Sequence, residues 1–135
     1  MILLLWLLSL TVLLAAPSEL TVMAPANDDG RHLQLGWKPD NSGHQQYILS
    51  SHSGATGPWK LVKKNLAATS NSFYDTVDPQ KQRYWYRIST LPPEVNMPAK
   101  LADPAAFFQQ HGSLSAVAQG EPQGCLLYTS DAADE

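Results

Sequence analysis

The chain has 135 residues, nine of them Lys or Arg and twelve Asp or Glu, for a formal net charge of −3. That length suits one domain, and no basic cluster exceeds the Lys63–Lys64 pair, which excludes a nucleic-acid-binding face. The single cysteine, Cys125, excludes an internal disulfide, so a core must hold by apolar packing.

Residues 1–16 read MILLLWLLSLTVLLAA, an apolar run interrupted only by Ser9 and Thr11. As a helix it would rise about 24 Å, short of a hydrocarbon core of ~30 Å. The length fits the apolar region of a signal peptide, with Ala15 and Ala16 as small residues before a cleavage point. No Lys or Arg precedes the run and Pro17 follows it at once, so an uncleaved anchor stays open beside a cleaved signal. Both readings put the following domain outside the cytoplasm; a buried helix is the third reading.

From Pro17 to about Leu91 the pattern is one of short alternating strands separated by turn residues. Leu20–Met23 is the first strand, and the cluster Asn27-Asp28-Asp29-Gly30 is a turn. His32 to Trp37 places Leu33, Leu35 and Trp37 on one face, and Pro39 to Gly43 turns the chain again. Gln45 to Ser51 follows, with Tyr47 and Leu49 sharing a face, and Ser53 to Pro58 is a loop. In the next strand Trp59, Leu61 and Lys63 take one face and Lys60, Val62 and Lys64 the other. Asn71 to Asp75 points Phe73 inward, and Gln82 to Thr90 alternates Tyr84, Tyr86 and Ile88 with Arg83, Trp85 and Arg87. No sustained helical period appears here. The pattern predicts an all-β fold, an antiparallel β-sandwich of two facing sheets. Its expected core is Leu33, Leu35, Trp37, Tyr47, Leu49, Phe73, Tyr84, Tyr86 and Ile88, with the aromatic residues supplying most of the buried area.

Three stretches carry a resemblance to a known family. Leu33-Gln34-Leu35-Gly36-Trp37-Lys38-Pro39 resembles the second strand of fibronectin type III domains, with Trp37 as the core tryptophan. Phe73-Tyr74-Asp75 followed by Val77-Asp78-Pro79 resembles the family's fifth strand and the turn after it. Tyr84-Trp85-Tyr86-Arg87-Ile88 is similar to its Tyr-x-Tyr-Arg-Val strand. The resemblance spans residues 18–91 and implies a fibronectin type III-like, immunoglobulin-like sandwich. It also implies that Tyr84 is the tyrosine-corner residue, its hydroxyl bonded to nearby backbone. The spacing from Pro79 to Tyr84 is one residue longer than usual, and Gln80 stands where the family has Gly.

The last strand is the least legible. Pro92 and Pro93 follow the sixth strand and cannot donate ladder bonds. A short strand near Asn96 to Lys100, or a displaced one, is expected, which places the domain at 17–100. Asp103 to Gly112 reads as a short helix, with Asp103 as its cap, Pro104 at its first position and Gly112 as its stop. A helix this short is marginal alone, so Phe107 and Phe108 need a surface: the sandwich, a further domain or a membrane. Ser113 to Gly124 reads as a linker, making 101–124 helix and linker. Residues 125–135, CLLYTSDAADE, match one frame of a transposase-type sequencing adaptor, TGTCTCTTATACACATCT continued by GACGCTGCCGACGA. The expectation is that 125–135 are not native, that Cys125 and Tyr128 carry no function, and that the protein continues past Gly124. Without Asp131, Asp134 and Glu135, nine acids face nine bases.

No catalytic constellation emerges. His32, His44, His52 and His111 pair with no Cys, acid or other His at metal-ligand spacing, and no metalloprotease motif is present. Ser50, Ser51 and Ser53 lie near His52 without a nucleophile elbow. Asp28 and Asp29 lack the further acids of a calcium loop. Trp59, beside a loop, is the one candidate for partner binding. Trp85 is expected on the outer face, stacked with Arg83 and Arg87. No Arg-Gly-Asp tripeptide occurs. The reading is therefore an extracytoplasmic, non-catalytic binding or spacer module of a larger, membrane-anchored envelope protein, without cofactor or metal. The alternative is an accessory domain of a secreted hydrolase whose catalytic domain lies elsewhere. The expected partner is a protein or polysaccharide rather than nucleic acid, with membrane anchoring through residues 1–16 or a segment beyond the sequence given.

Overall fold

A computed structural model describes residues 16–26 and 29–122. Residues 1–15 of the expected signal or anchor at 1–16, the Asn27-Asp28 half of the first turn and the adaptor-like segment 125–135 lie outside the described residues. The described chain forms β1 (Ser18–Met23), β2 (His32–Lys38), β3 (Gln45–Ser51), β4 (Lys60–Leu66), β5 (Ser72–Thr76) and β6 (Tyr84–Leu91). The helix α1 (Pro104–His111) and two short strands, β7 (Ser113–Leu114) and β8 (Ala118–Gly120), follow. The first sheet has the order β1–β2–β5. The second has the order β4–β3–β6, with β7 and β8 both on the far side of β6. All these pairings are antiparallel.

The inner faces of the two sheets meet in one core of Leu33, Leu35, Trp37, Ile48, Val77, Tyr84, Tyr86 and Ile88. Phe73 packs against it half-buried. The period of two explains the choice: in β2, residues 33, 35 and 37 are buried, while 32, 34 and 36 are half-exposed and Lys38 is exposed. Trp37 also brings a polar atom inside. Its Nε1 donates to Gln46 Oε1 at 2.8 Å. Gln46 is itself buried, and its Nε2 donates to the carbonyls of Ala67 at 2.9 Å and Ser70 at 2.8 Å. One side chain thus meets the indole N–H and ties down the connection between β4 and β5.

Tyr47 and Leu49 are buried as expected of core residues, but not between the sheets. They belong to a second cluster on the outer face of the β4–β3–β6 sheet, with Leu91 and Phe108. The reason lies in the pleat: Gln46, Ile48 and Ser50 take the inner face of β3, so Tyr47, Leu49 and Ser51 must take the outer one. β3 is buried on both faces along most of its length.

Residues 92–112 create the cover for that outer face. Pro92 and Pro93 end β6, and the chain turns out of the ladder. It crosses the outer face through Val95 and Met97, then enters α1. Asp103 Oδ1 accepts from Ala106 N at 3.2 Å and caps the helix, with Pro104 at its start. Phe108 is 0% exposed, with its ring 5.2 Å from that of Tyr47, so the surface that holds the helix is the sandwich itself. Gly112 closes the helix, its N–H donating to Phe108 O at 2.9 Å. No other residue fits there, because a Cβ at Gly112 would overlap the Thr90 carbonyl oxygen.

The last strand is therefore not at 96–100 but displaced: two short strands, β7 and β8, lie in the stretch read as a linker. β7 pairs with the end of β6 through Ser89 and Thr90, and β8 with its start through Tyr84, Trp85 and Tyr86. Ser115 bridges the gap between them. Its N–H donates to Ile88 O at 2.8 Å and its Oγ accepts from Ile88 N at 2.9 Å. A hydroxyl replaces the missing ladder carbonyl, which lets one strand bend without orphaning a buried N–H.

Candidate functional site

Trp59 sits just before β4, at the edge of the second sheet. Its ring packs half-buried against the outer cluster next to Leu61. The approach to it is fixed by Gly57, which has φ 102° and lies so close that a Cβ would meet Trp59 Cδ1 at 2.8 Å. Trp59 separates two clefts. One of about 330 Å³ lies towards Lys60, Lys64, Met97 and Pro104. The other, about 310 Å³, opens at the strand ends beside Ser51, His52, Asp75 and Tyr84.

Arg87 projects from the outer face of β6 opposite Leu49. Its Nε donates to the Ser115 carbonyl at 2.9 Å, and its guanidinium carbon lies 5.9 Å from the centre of the Trp59 ring. Burial pushes the Arg87 pKa down. No carboxylate offsets that cost, since Arg83–Glu121 is the ion pair found among the described residues. The expected stack of Arg83 and Arg87 on Trp85 is thus replaced. Arg87, tied at Nε to β7–β8 backbone, reaches across Leu49 to Trp59, and Arg83 turns to Glu121 at the rim. Trp85 remains on the outer face, half-buried, paired in register with Ser51 on one side and Gln119 on the other.

The polar groups of the inner core act on structure. Tyr84 Oη accepts from Asp78 N at 2.8 Å, pinning the connection between β5 and β6 in the manner of a tyrosine corner. Tyr86 is 0% exposed and donates its hydroxyl proton to Asp75 Oδ2 at 2.6 Å. Burial raises the pKa of both groups. For Asp75 the bond from Tyr86 and the charges of Lys60 and His32 pull the other way. Ser51 Oγ accepts from Ser53 N at 3.2 Å and so serves the turn beside His52. The His52 ring instead meets Tyr84 edge-on at 6.4 Å. His32 lies against Tyr74, and His111 against Phe107. Among the described residues no group of three or more His, Cys, Asp or Glu could hold a metal ion. No described helix is long and apolar enough to cross a membrane.

Sequence reasoning located Trp59 and put Arg87 outward, but paired Arg87 with Trp85 rather than with Trp59, and left out the bridging Ser115. The signal for Arg87 was present in the alternation of β6, which puts it outward; its partner on a distant strand was not. Gln46 had a signal too, a polar residue at the inward position of a strand.

No protein-family model matches the sequence, and no curated protein matches it. Solved structures do. An Fn3-like protein from Clostridium thermocellum superposes with a TM-score of 0.57 at 20% identity, covering 78% of this chain and 88% of that one. Pectate lyase Pel3 from Pectobacterium carotovorum matches in two crystal structures. One gives a TM-score of 0.54 at 19% identity, the other 0.53 at 21%. These cover 79% and 76% of this chain but only 27% and 26% of the lyase. The chain thus has an Fn3-like β-sandwich fold, similar to most of an Fn3-like protein and to about a quarter of a pectate lyase.

Proposed function

We propose that the chain is a non-catalytic accessory module, acting outside the cytoplasm as part of a larger protein that works on polysaccharide. The observation that carries this reading is the match of three-quarters of the chain to a minor part of a polysaccharide-cleaving enzyme. The face around Trp59 supports it, because it joins an aromatic ring to a cation in the way of a binding surface. The apolar leader supports export. The same leader, retained as an anchor, favours the second reading, a membrane-anchored envelope protein that uses the domain as a binding or spacer unit.

Two measurements test the proposal. Full chain incubated with polygalacturonate is expected to yield no unsaturated uronate products; turnover would overturn the non-catalytic assignment. The source DNA read past the Gly124 codon is expected to continue in frame into a catalytic domain. An immediate in-frame stop would overturn the accessory reading, and an apolar stretch of about 20 residues would select the anchored one.

A further inference from the structure

The outer face of the second sheet is only partly covered by α1 and the segment before it. At the end that Phe108 and Tyr47 do not reach, three side chains form a strip across the strands. Trp85 lies on β6 opposite Ser51 of β3. β4 runs antiparallel to β3 with Ser50 opposite Lys60, which brings Trp59 alongside Ser51 on the other side. The two tryptophans therefore flank a small serine at two inter-strand spacings, roughly 10 Å. Arg87 lies in the adjoining row and leans over Trp59.

The state of Arg87 points to the ligand. Its Nε is held by the Ser115 carbonyl, while neither Nη has a hydrogen-bond partner among the described residues. It is half-buried, and no carboxylate pairs with it. A guanidinium pinned at one nitrogen, with its fork open, is a preorganised receptor for a carboxylate in bidentate geometry. Both indoles are half-buried, so each keeps part of its ring at the surface, where it can stack on the C–H face of a pyranose. The row suits an extended chain whose alternate units stack while a carboxylate between them meets Arg87. Lys60 and Lys64 share a cleft with Trp59, but with Lys63 they are exposed on an edge strand, where charge also guards against strand pairing.

We propose that the Trp59–Arg87–Trp85 strip binds an acidic, uronate-bearing polysaccharide. The proposal rests on the accessory reading above and gives that module its ligand class. Charge alone would also suit an acidic peptide. Two indole faces spaced along one strip favour the sugar.

The test is electrophoresis of the full chain through gels containing polygalacturonate, fully methyl-esterified polygalacturonate or polyglutamate. Retardation by the free acid and not by the ester is expected. Trp85→Ala and Arg87→Gln should each weaken it about tenfold, as for loss of one stacking or charge-assisted contact. Lys38→Ala, on the opposite sheet, should change nothing. Because Arg87→Gln disturbs a buried bond, Arg87→Lys is run beside it, retaining the charge and losing the fork; it too should bind more weakly. Titration of the unaltered chain with trigalacturonate should shift its indole emission, a readout independent of how the variants fold. Unchanged migration in polygalacturonate, retardation by polyglutamate alone, or full retardation of the Trp85 and Arg87 variants would overturn the strip. None of these outcomes touches the accessory reading, which stands or falls on the adjoining coding sequence and the absence of turnover.

Discussion

The two apolar clusters of this domain are built by different means. The inner one joins strands whose alternation is plain in the sequence, and every strand from β1 to β6 contributes to it. The outer one depends on residues 92–112, which leave the sheet after Leu91 and return to it at Ser113. An inner core follows from strand period; an outer core needs a separate piece of chain to arrive and dock. A fold of this size gains from the second, because small domains bury a modest share of their surface.

The largest effect should come from breaking the outer cluster at its centre. Phe108→Ala is expected to cost ~3–5 kcal/mol by denaturant unfolding, the range for a fully buried aromatic. A loss below about 1 kcal/mol would show that α1 is a detachable cover rather than part of the cooperative unit. Gln46→Ala tests the inner side. It strands the Trp37 indole N–H and carbonyls of the β4–β5 connection, and about 2–3 kcal/mol should be lost. Faster amide exchange should appear at the backbone N–H of Trp37, which donates to Asn71 O at 3.0 Å in that connection. A uniform change across both sheets would instead show that Gln46 stabilises only by filling space.

Tyr84→Phe removes the acceptor for Asp78 N while keeping the ring, and about 1 kcal/mol is expected in the same unfolding assay. The smallest effect concerns Asp75. Burial holds its carboxyl above the ordinary range, so the folded chain binds that proton more tightly than the unfolded chain does. Its contribution is complete below the ordinary carboxylate pKa and is lost as pH rises through the raised folded value. Asp75→Asn should therefore match the parent in acid and equal or exceed it in Tm at neutral pH, since the oxygen of the introduced amide can still accept from the Tyr86 hydroxyl. A variant less stable at neutral pH would show that the charge is needed, through Lys60 and His32.

Much of the inner half was readable because alternation, turn residues and the Tyr-x-Tyr-Arg strand are local signals. Leu33, Leu35, Trp37, Tyr84, Tyr86 and Ile88 follow directly from it. Tyr47 and Leu49 show where local signals stop. Their shared face was legible, but β3 is buried on both faces, and the face that meets the other sheet is the more polar one, Gln46, Ile48 and Ser50, so pattern alone pointed the wrong way. The helix was legible from Asp103, Pro104 and Gly112, whereas its docking site was not, since an amphipathic face does not name its partner.

The sequence by itself therefore determined strands β1 to β6, their inward residues in β2 and β6, and the caps of the helix, because each depends on neighbours a few residues apart. Tertiary structure alone decided three things: that Pro92–Gly112 folds onto the outer sheet, that Ser113 to Gly120 closes the ladder, and that Arg87 meets Trp59. Each of these joins residues far apart in sequence. Their pairing is set by which apolar surface remains to be buried and which backbone groups remain to be bonded.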